Sequence, residues 1–246
     1  MWISVVIPAF NEVARLGDTL EQIRDCLLPA GASFEVVVVD DGSQDGTWGL
    51  LQTYRARYEW IRCVRLPRNH GKGRAVREGV AQAQGDVIVV YDADAATPPT
   101  VILEYVPWIT EKGYDVVIGS RELGRRQGRR VTYPYIRRQA GRVFTWLART
   151  VVPGFLDTQC GFKLFRREAA HHLFGLLEQQ GYAWDVEILA LARGFSYRVV
   201  EVPVDWHHRP GSKVHLVRDA WRMVWQLYRI RRRLRRILPD AARRTD

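Results

Sequence analysis

Residues 85–99, GDVIVVYDADAATPP, decide the fold of this 246-residue chain. Residues 86–91 are an apolar run rich in β-branched side chains without polar alternation, which predicts a short strand buried on both faces of a sheet. The run ends in Asp92-Ala93-Asp94, two carboxylates one residue apart. An open α/β sheet binds its ligands at this end of its strands. Hard oxygen ligands in such a crevice suit Mg²⁺ or Mn²⁺ held together with substrate phosphates, so Asp92 and Asp94 are the predicted metal ligands.

The regions on either side predict alternating strands and helices. Strands are predicted at 3–7, 34–39, 61–66 and 115–118, and helices at about 12–28, 47–58 and 74–83, with another beginning at Pro98-Pro99. Such regular alternation predicts an α/β fold, a Rossmann-like, mostly parallel sheet with helices on both faces.

The alternation stops after Arg121. Residues 122–132 are rich in Gly and Arg, and we expect them to be mobile. The segments beyond them are interpreted as helices at about 134–151 and 168–177, a strand or turn at 157–165, a helix beginning at Trp184, and a late strand at 197–204.

Composition narrows the class of protein. No apolar run is long enough to span a bilayer. We expect no secretory leader, because a core strand is predicted at 3–7, immediately after Met1. Three cysteines without metal-ligand spacing favour a reducing cytosol. The net charge of +10 is concentrated in residues 121–142 and 218–246, each +7, which leaves −4 on the rest. Two basic segments on an acidic body predict two local anionic contacts rather than a nucleic-acid-binding protein.

A long basic amphipathic helix is predicted from about residue 214 to residue 236. Its apolar stripe contains Leu216, Val217, Ala220, Trp221, Val224, Leu227, Tyr228, Leu234 and Leu238. The opposing face contains Arg218, Arg222, Arg229, Arg232, Arg233 and Arg236. This arrangement favours a helix lying on a membrane surface, and the alternative is that its apolar stripe packs on the rest of the protein. We therefore divide the chain at 1–213 and 214–246.

Polar clusters follow four predicted strands: Asn11-Glu12, Asp40-Asp41, Asp92 with Asp94, and Ser120-Arg121. Because parallel strands end at one edge of a sheet, these clusters should form one site with ligands for a base, a ribose and a metal. The glycine-rich fingerprints of nicotinamide sites and P-loops are absent, so phosphate binding should rest on the metal.

These motifs resemble a known family. VVIPAFNE (5–12), VVVVDDGSQDGT (36–47), NHGKGRAVREG (69–79), the 86–99 stretch, VVIGSRE (116–122) and DTQCGFKLFRREAA (157–170) resemble glycosyltransferase family 2 with the GT-A fold, from residue 3 to about 235. The resemblance is greatest to dolichyl- or polyprenyl-phosphate β-glucosyltransferases. The related mannose synthases have glutamine where this chain has Ala96, which speaks against that branch.

The resemblance implies a metal-dependent, inverting transfer of a sugar, glucose from UDP-glucose, to a polyprenyl or dolichyl monophosphate. It implies a nucleotide-sugar half at 1–120 and an acceptor half at 121–213. The implied nucleotide-sugar residues are Pro8, Ala9, Phe10, Asn11, Glu12, Asp40 or Asp41, Gly71, Lys72, Asp92 and Ala93, with Asp92 and Asp94 binding the metal and the diphosphate. Either Asp40 or Asp41 could face the base.

A lipid monophosphate is largely a dianion at neutral pH, so it needs positioning by cations more than it needs a general base. The candidate acceptor-phosphate residues are Arg121, Arg137, Arg138, Arg209, Ser212 and Lys213, because guanidinium groups bind phosphate oxygens bidentately. For Arg137 and Arg138 the alternative is a solvated helix face. We interpret Asp157 as the active-site acid, and Asp185 as a helix cap or as a residue that orients the Arg cluster.

Three other functions stay open at this point. The first is a family 2 transferase with another donor, such as GDP-mannose or UDP-GlcNAc, or with a soluble sugar or diacylglycerol as acceptor. With either of these acceptors, a base near Asp185 would be essential. The others are a nucleic-acid-binding module and a non-catalytic membrane scaffold. The lipid-phosphate interpretation places the protein in the cytoplasm, bound peripherally to the membrane through its C-terminal helix.

Overall fold

The computed structural model describes residues 1–132, 145–208 and 216–238, without the side chains of 216–224. Its strands are β1 Trp2–Ala9, β2 Ser33–Asp40, β3 Ile61–Arg65, β4 Val87–Val90, β5 Val116–Ser120, β6 Val131–Thr132, β7 Lys163–Arg166, β8 Val199–Pro203 and β9 Trp206–His207. Its labelled helices are α1 Leu16–Leu27, α2 Thr47–Arg57, α3 Lys72–Gln82, α4 Thr100–Thr110, α5 Arg121–Arg126, α6 Arg167–Leu176, α7 Trp184–Gly194 and α8 Leu216–Ile237.

Seven of these strands form one sheet in the order β3-β2-β1-β4-β7-β5-β8. β1 runs parallel to β2 and to β4, and β5 runs parallel to β8. β7 is antiparallel to both of its neighbours, β4 and β5. The predicted mostly parallel sheet is therefore confirmed, with one reversed strand inserted at its centre.

Helices cover both faces of the sheet. Alternate residues of β2 point to opposite sides, so Val36 and Val38 belong to the core that contains α1 and α4, whereas Val37 belongs to the core that contains α3, α6 and α7. This double burial explains why the strands read as continuous apolar runs.

The segment that follows Arg121 is more ordered than its composition indicates. α5 begins there because the Ser120 hydroxyl caps it, accepting a hydrogen bond from the Leu123 amide at 3.1 Å. Residues 131–132 then form β6, which pairs with β9. The expectation that residues 122–132 form a mobile segment is thus wrong. Most of the helix predicted at 134–151 lies outside the described residues, although 145–148 are helical.

The C-terminal helix α8 is present and packs on α7. Leu227, Ile230 and Leu234 are buried in the same core as α7, and Leu238 lies against Gly194. Trp225 and Tyr228 are exposed and stack with ring centroids 5.7 Å apart. In its described second half the apolar stripe therefore faces the protein, Tyr228 lies outside that stripe, and the boundary at residue 213 stays a prediction.

No helix within the described ranges combines the length and the apolar character that crossing a membrane requires.

Candidate active site

The carboxyl ends of β1, β2, β4 and β5 meet at one edge of the sheet, as the polar clusters predict. After Pro8 and Ala9, which end β1, the chain turns through Phe10 and Asn11, and Asn11 adopts a left-handed φ of 52°. The Asn11 amide donates to Ser43 Oγ, and its side-chain Oδ1 accepts from the Gln44 amide, each at 2.8 Å. These two hydrogen bonds join the β1 loop to the β2 loop and shape one wall of the crevice.

Asp40 and Asp41 have different environments. Asp41 accepts the amides of His70 and Gly71, one on each carboxylate oxygen, at 2.8 Å. Burial raises the pKa of Asp41. Asp40 is fully buried and accepts the Ser43 amide at 2.9 Å on one oxygen, whereas its Oδ2 accepts no hydrogen bond and lies 3.4 Å from Arg65 Nε as an ion pair. Asp41 therefore holds the 70–71 backbone, and the role of either residue in binding a base stays a prediction.

Asp92 forms an ion pair with Lys72, whose Nζ lies 2.6 Å from Asp92 Oδ1. Burial opposes ionisation of Asp92, but Lys72, Lys163 and Arg121 outweigh burial, so the pKa of Asp92 is lowered. Gly161 lies directly behind this carboxylate, because a Cβ at that position would be 1.8 Å from Asp92 Oδ2. Any side chain at Gly161 would therefore displace Asp92.

Asp94 is bound on one side by the Ala96 amide, 3.1 Å from its Oδ1. Arg15 lies at 4.0 Å from its Oδ2 and is itself held by Glu12. Burial and the nearby Asp92 charge raise the pKa of Asp94. A bound cation would therefore stabilise the ionised form of Asp94.

The residues present fit a divalent cation that is also bound by its substrate. Across residues 1–132, 145–208 and 216–238, no three His, Cys, Asp or Glu side chains come together as a metal site. A cation held by Asp92 and Asp94 would need further oxygens, and nucleotide phosphates supply them at Mg²⁺ and Mn²⁺ sites.

Arg121 lies at the end of β5 and is held rigidly by Asp157. Its Nε and Nη2 donate to the two oxygens of Asp157 at 2.6 and 2.9 Å, and its backbone amide donates at 3.0 Å. Burial opposes the effect of Arg121, yet Arg121 prevails and lowers the pKa of Asp157. Trp206 lies 5.5 Å from the guanidinium carbon as a cation–π partner. Asp157 therefore orients Arg121, and its role as the active-site acid stays a prediction.

Asp185 lies in the first turn of α7 and pairs with Lys163 of β7 in the interior. The N-cap of α7 is Ala183, so the interpretation of Asp185 as a helix cap is wrong. Lys163 is fully buried and also donates to the Cys160 carbonyl at 2.6 Å. Burial raises the pKa of Asp185 although Lys163 and Lys72 oppose that rise.

The structure brings the predicted donor residues and Arg121 to one crevice, and it adds Gly161, Lys163 and Trp206, which the sequence analysis missed. For Gly161 and Lys163 the sequence offered one signal, their position in the DTQCGFKLF motif. It offered no signal for Trp206. The other predicted acceptor residues, Arg137, Arg138, Arg209, Ser212 and Lys213, lie outside the described residues.

Comparisons with known proteins agree on one family. The family described as Glycosyl transferase family 2 matches residues 4–174. Glycosyltransferase AglD of Haloferax volcanii is 36% identical over 231 residues, which is 92% of this chain but only 36% of that protein. A dolichyl-phosphate beta-glucosyltransferase of Dictyostelium discoideum is 33% identical over 242 residues, covering 94% of this chain and 74% of that one.

A solved structure shares the fold. The glucosyl-3-phosphoglycerate synthase of Mycobacterium tuberculosis, in complex with Mn²⁺, UDP and phosphoglyceric acid, superposes with a TM-score of 0.66 at 22% identity. The match covers 97% of this chain and 80% of that one. This likeness confirms the expected GT-A fold and, at that identity, shows the fold alone.

Proposed function

This chain belongs to glycosyltransferase family 2, and from that premise we propose that it transfers glucose from UDP-glucose to a polyprenyl or dolichyl monophosphate, with inversion at the anomeric carbon. Relatives named dolichyl-phosphate beta-glucosyltransferase, in Dictyostelium discoideum among others, support the sugar and the acceptor. Uridine is the base that the family resemblance implies.

One observation carries the proposal: a carboxylate pair and a rigid arginine share the crevice. The charge of Arg121 contributes to the lowered pKa of Asp92, so the two side chains belong to one electrostatic site. A nucleotide diphosphate beside Asp92 and a phosphate acceptor beside Arg121 would place the two anionic reactants next to each other. The site thus contains what a transfer between two phosphate-bearing substrates requires.

Each residue has a role that its contacts support. A divalent cation at Asp92 and Asp94 would offset the charge that develops on the departing diphosphate. Lys72 adds a second positive charge on the donor side, and burial does not neutralise it, because Asp92 and Asp185 raise its pKa. Arg121, oriented by Asp157, would bind the acceptor phosphate bidentately. An acceptor that is already ionised needs no proton removed, so Asp185 can remain paired with Lys163.

The proposal extends to the residues outside the described ranges and to location. Arg137, Arg138, Arg209, Ser212 and Lys213 would complete the acceptor-phosphate site. The exposed face of α8 would lie on the cytoplasmic membrane surface, since it presents Trp225 and Tyr228 beside Arg229, Arg232, Arg235 and Arg236, with no acidic side chain among residues 225–238. Each Arg near an anionic surface contributes about 1 kcal/mol to binding.

A donor–acceptor matrix tests the activity. Purified protein is incubated with UDP-glucose, UDP-GlcNAc or GDP-mannose, each with polyprenyl phosphate, diacylglycerol or 3-phosphoglycerate, with Mn²⁺ or with a chelator. We expect one productive pair, UDP-glucose with polyprenyl phosphate, and loss of turnover with the chelator. Product with diacylglycerol or with 3-phosphoglycerate, and none with polyprenyl phosphate, would show that the proposed acceptor is wrong.

Asp94→Asn tests the metal site in the same assay. It should abolish turnover and leave the melting temperature unchanged, because Asp94 is at a strand end and not in the core. Asp18→Asn, an exposed carboxylate on α1, is the matched control and should retain full activity. An active Asp94→Asn protein would contradict the assignment.

Vesicle sedimentation tests the membrane surface. The full chain should pellet with anionic vesicles at low salt and be released at high salt. The double variant Arg232→Glu/Arg236→Glu should stay in the supernatant, whereas Arg55→Glu on the exposed face of α2 should pellet normally. Equal pelleting of all three proteins would overturn docking through α8.

A further inference from the structure

Arg233 of α8 is directed into the protein, contrary to its predicted place on the solvent-facing side of the helix. Only 18% of its side chain is exposed. Its guanidinium donates to a carboxylate oxygen of Glu187 and, at 2.6 Å, to the Leu176 carbonyl. It also lies 2.9 Å from a carboxylate oxygen of Glu178. Arg233 thus joins the C-terminal helix to α7 and to the end of α6.

Glu187 is the interior partner of Arg233, and 1% of its side chain is exposed. Its second oxygen accepts the amides of Glu178 and Gln179 at 3.0 and 2.7 Å. One buried carboxylate therefore fixes both Arg233 and the start of residues 178–181, which we call the capping segment. A buried carboxylate is stable only while such partners remain.

The capping segment in turn holds the N-terminus of α3. The amides of Gly73 and Arg74 donate to the Gln180 carbonyl at 2.7 and 3.3 Å. The N-cap of α3 is Gly71, which provides no side-chain cap, so this carbonyl supplies what a capping side chain would. The start of α3 therefore depends on a segment that is distant in sequence.

Both glycines of the HGKG motif are required by this contact. A Cβ at Gly71 would lie 2.6 Å from the Gln180 carbonyl oxygen, and one at Gly73 would lie 2.3 Å from that of Gln179. Lys72, between them, reaches Asp92, while the Gly71 amide reaches Asp41. Continuous contacts therefore run from α8 to the donor side of the crevice.

We propose that Arg233 and Glu187 are positioning residues for donor binding: they hold the capping segment on α3 and so keep Lys72 against Asp92. The nature of the donor rests on the proposed function, whereas the contacts do not. The role is specific to Arg233, because its neighbour Arg232 is exposed on the same helix.

The test compares the full chain with Arg233→Ala, Glu187→Gln, the conservative Arg233→Lys, and the exposed control Arg231→Ala on the same helix. Hydrogen exchange of the α3 N-terminus is measured without ligand, and binding of UDP with Mn²⁺ is measured by calorimetry well below the melting temperature. Arg233→Ala should speed exchange of the Gly73 and Arg74 amides and weaken UDP binding by about fivefold, the size typical of indirect coupling. Arg231→Ala should change neither the exchange rate nor the UDP affinity.

Two further readouts separate positioning from a general loss of stability. The donor KM should rise while kcat at saturating donor changes little, and Arg233→Lys should restore part of the affinity because it keeps the charge beside Glu187. The double variant Arg233→Ala/Glu187→Gln should bind UDP no more weakly than the worse single variant, since the two residues act through one contact.

Unchanged exchange at the start of α3, or unchanged UDP affinity in both single variants, would overturn the proposal. If the wild-type chain itself failed to bind UDP with Mn²⁺, the proposed function would be wrong, and the exchange data alone would decide the positioning role.

Discussion

Two ion pairs of this molecule, Arg121–Asp157 and Lys163–Asp185, have opposite properties. Asp157 accepts two guanidinium and two backbone N–H groups, and 21% of the Arg121 side chain is exposed. Lys163 and Asp185 are 1% and 5% exposed. The pKa of Asp157 is lowered because Arg121 outweighs burial, whereas that of Asp185 is raised because burial outweighs Lys163. In the proposed function the first pair would present a cation to substrate, whereas the second joins β7 to α7.

The largest expected effect comes from breaking the interior pair. Lys163→Met leaves Asp185 buried without its cation, which should lower the free energy of unfolding by about 3–5 kcal/mol. Replacing both partners, Lys163→Met/Asp185→Leu, should recover most of that loss, because an apolar pair carries no desolvation cost. Urea unfolding measures both variants, and a double variant as unstable as the single one would contradict the assignment.

The same pair tests the need for a general base. Asp185→Asn should retain activity within about tenfold, since loss of a true base typically costs about 10²–10⁴ in rate. A folded Asp185→Asn protein without activity would favour an acceptor that must be deprotonated.

The crevice pair should respond in activity rather than in stability. Arg121→Lys keeps the charge but loses the two-pronged contact with Asp157, so kcat/KM should fall by about 10²-fold. Arg125→Lys, one turn further along α5, is the matched control and should be nearly neutral. If Arg121→Lys lowered the melting temperature as far as Lys163→Met does, the two pairs would not differ as described.

The two carboxylates should affect stability with opposite signs in acid. Because the folded-state pKa of Asp157 lies below its unfolded value, its contribution is present above about pH 4 and is lost as pH falls through the folded pKa. Ionised Asp185 costs stability instead, and that cost disappears as pH falls through its raised pKa. Urea titrations from about pH 3 to pH 7 should show that each Asp→Asn variant removes the pH dependence of its own carboxylate, with opposite signs for the two variants. Slopes of the same sign would refute the contrast.

The smallest expected effect concerns the ring beside Arg121. Trp206→Leu removes the cation–π contact, which contributes about 0.5–1 kcal/mol, so the acceptor KM should rise by about two- to fivefold. Trp206→Phe should restore part of it, and equal kinetics for Leu and Phe would mean that the ring face is not used.

The sequence predicted which residues meet at the edge of the sheet far better than it predicted the residues that support them. Asp40, Asp41, Asp92 and Arg121 directly follow or end apolar strands, and parallel strands must bring such positions together. The sequence could not show that residue 161 must lack a side chain, because that requirement arises only where the start of β7 approaches the end of β4. Lys163 and Arg233 were missed since a cation between apolar residues reads as solvated until its partner is known.

The segment at 122–132 was misjudged for a related reason. Its Gly and Arg content is typical of a mobile loop. The prediction relied on that composition and did not take into account that Ser120 can cap a helix. The β6–β9 pairing joins residues far apart in the chain, so no local pattern could reveal it.

The reversed strand β7 has a consequence for how the protein folds. β3, β2, β1 and β4 come from the first 90 residues, but among the described strands only β7, at Lys163–Arg166, bonds to both β4 and β5. β5 therefore cannot join the growing sheet until a strand far along the chain has been inserted beside β4, and such non-local pairing is slow. We expect strands β1 to β4 to assemble first and β5, with Arg121, to be added in a later, rate-limiting step, so that the proposed donor and acceptor sites would be completed at different times.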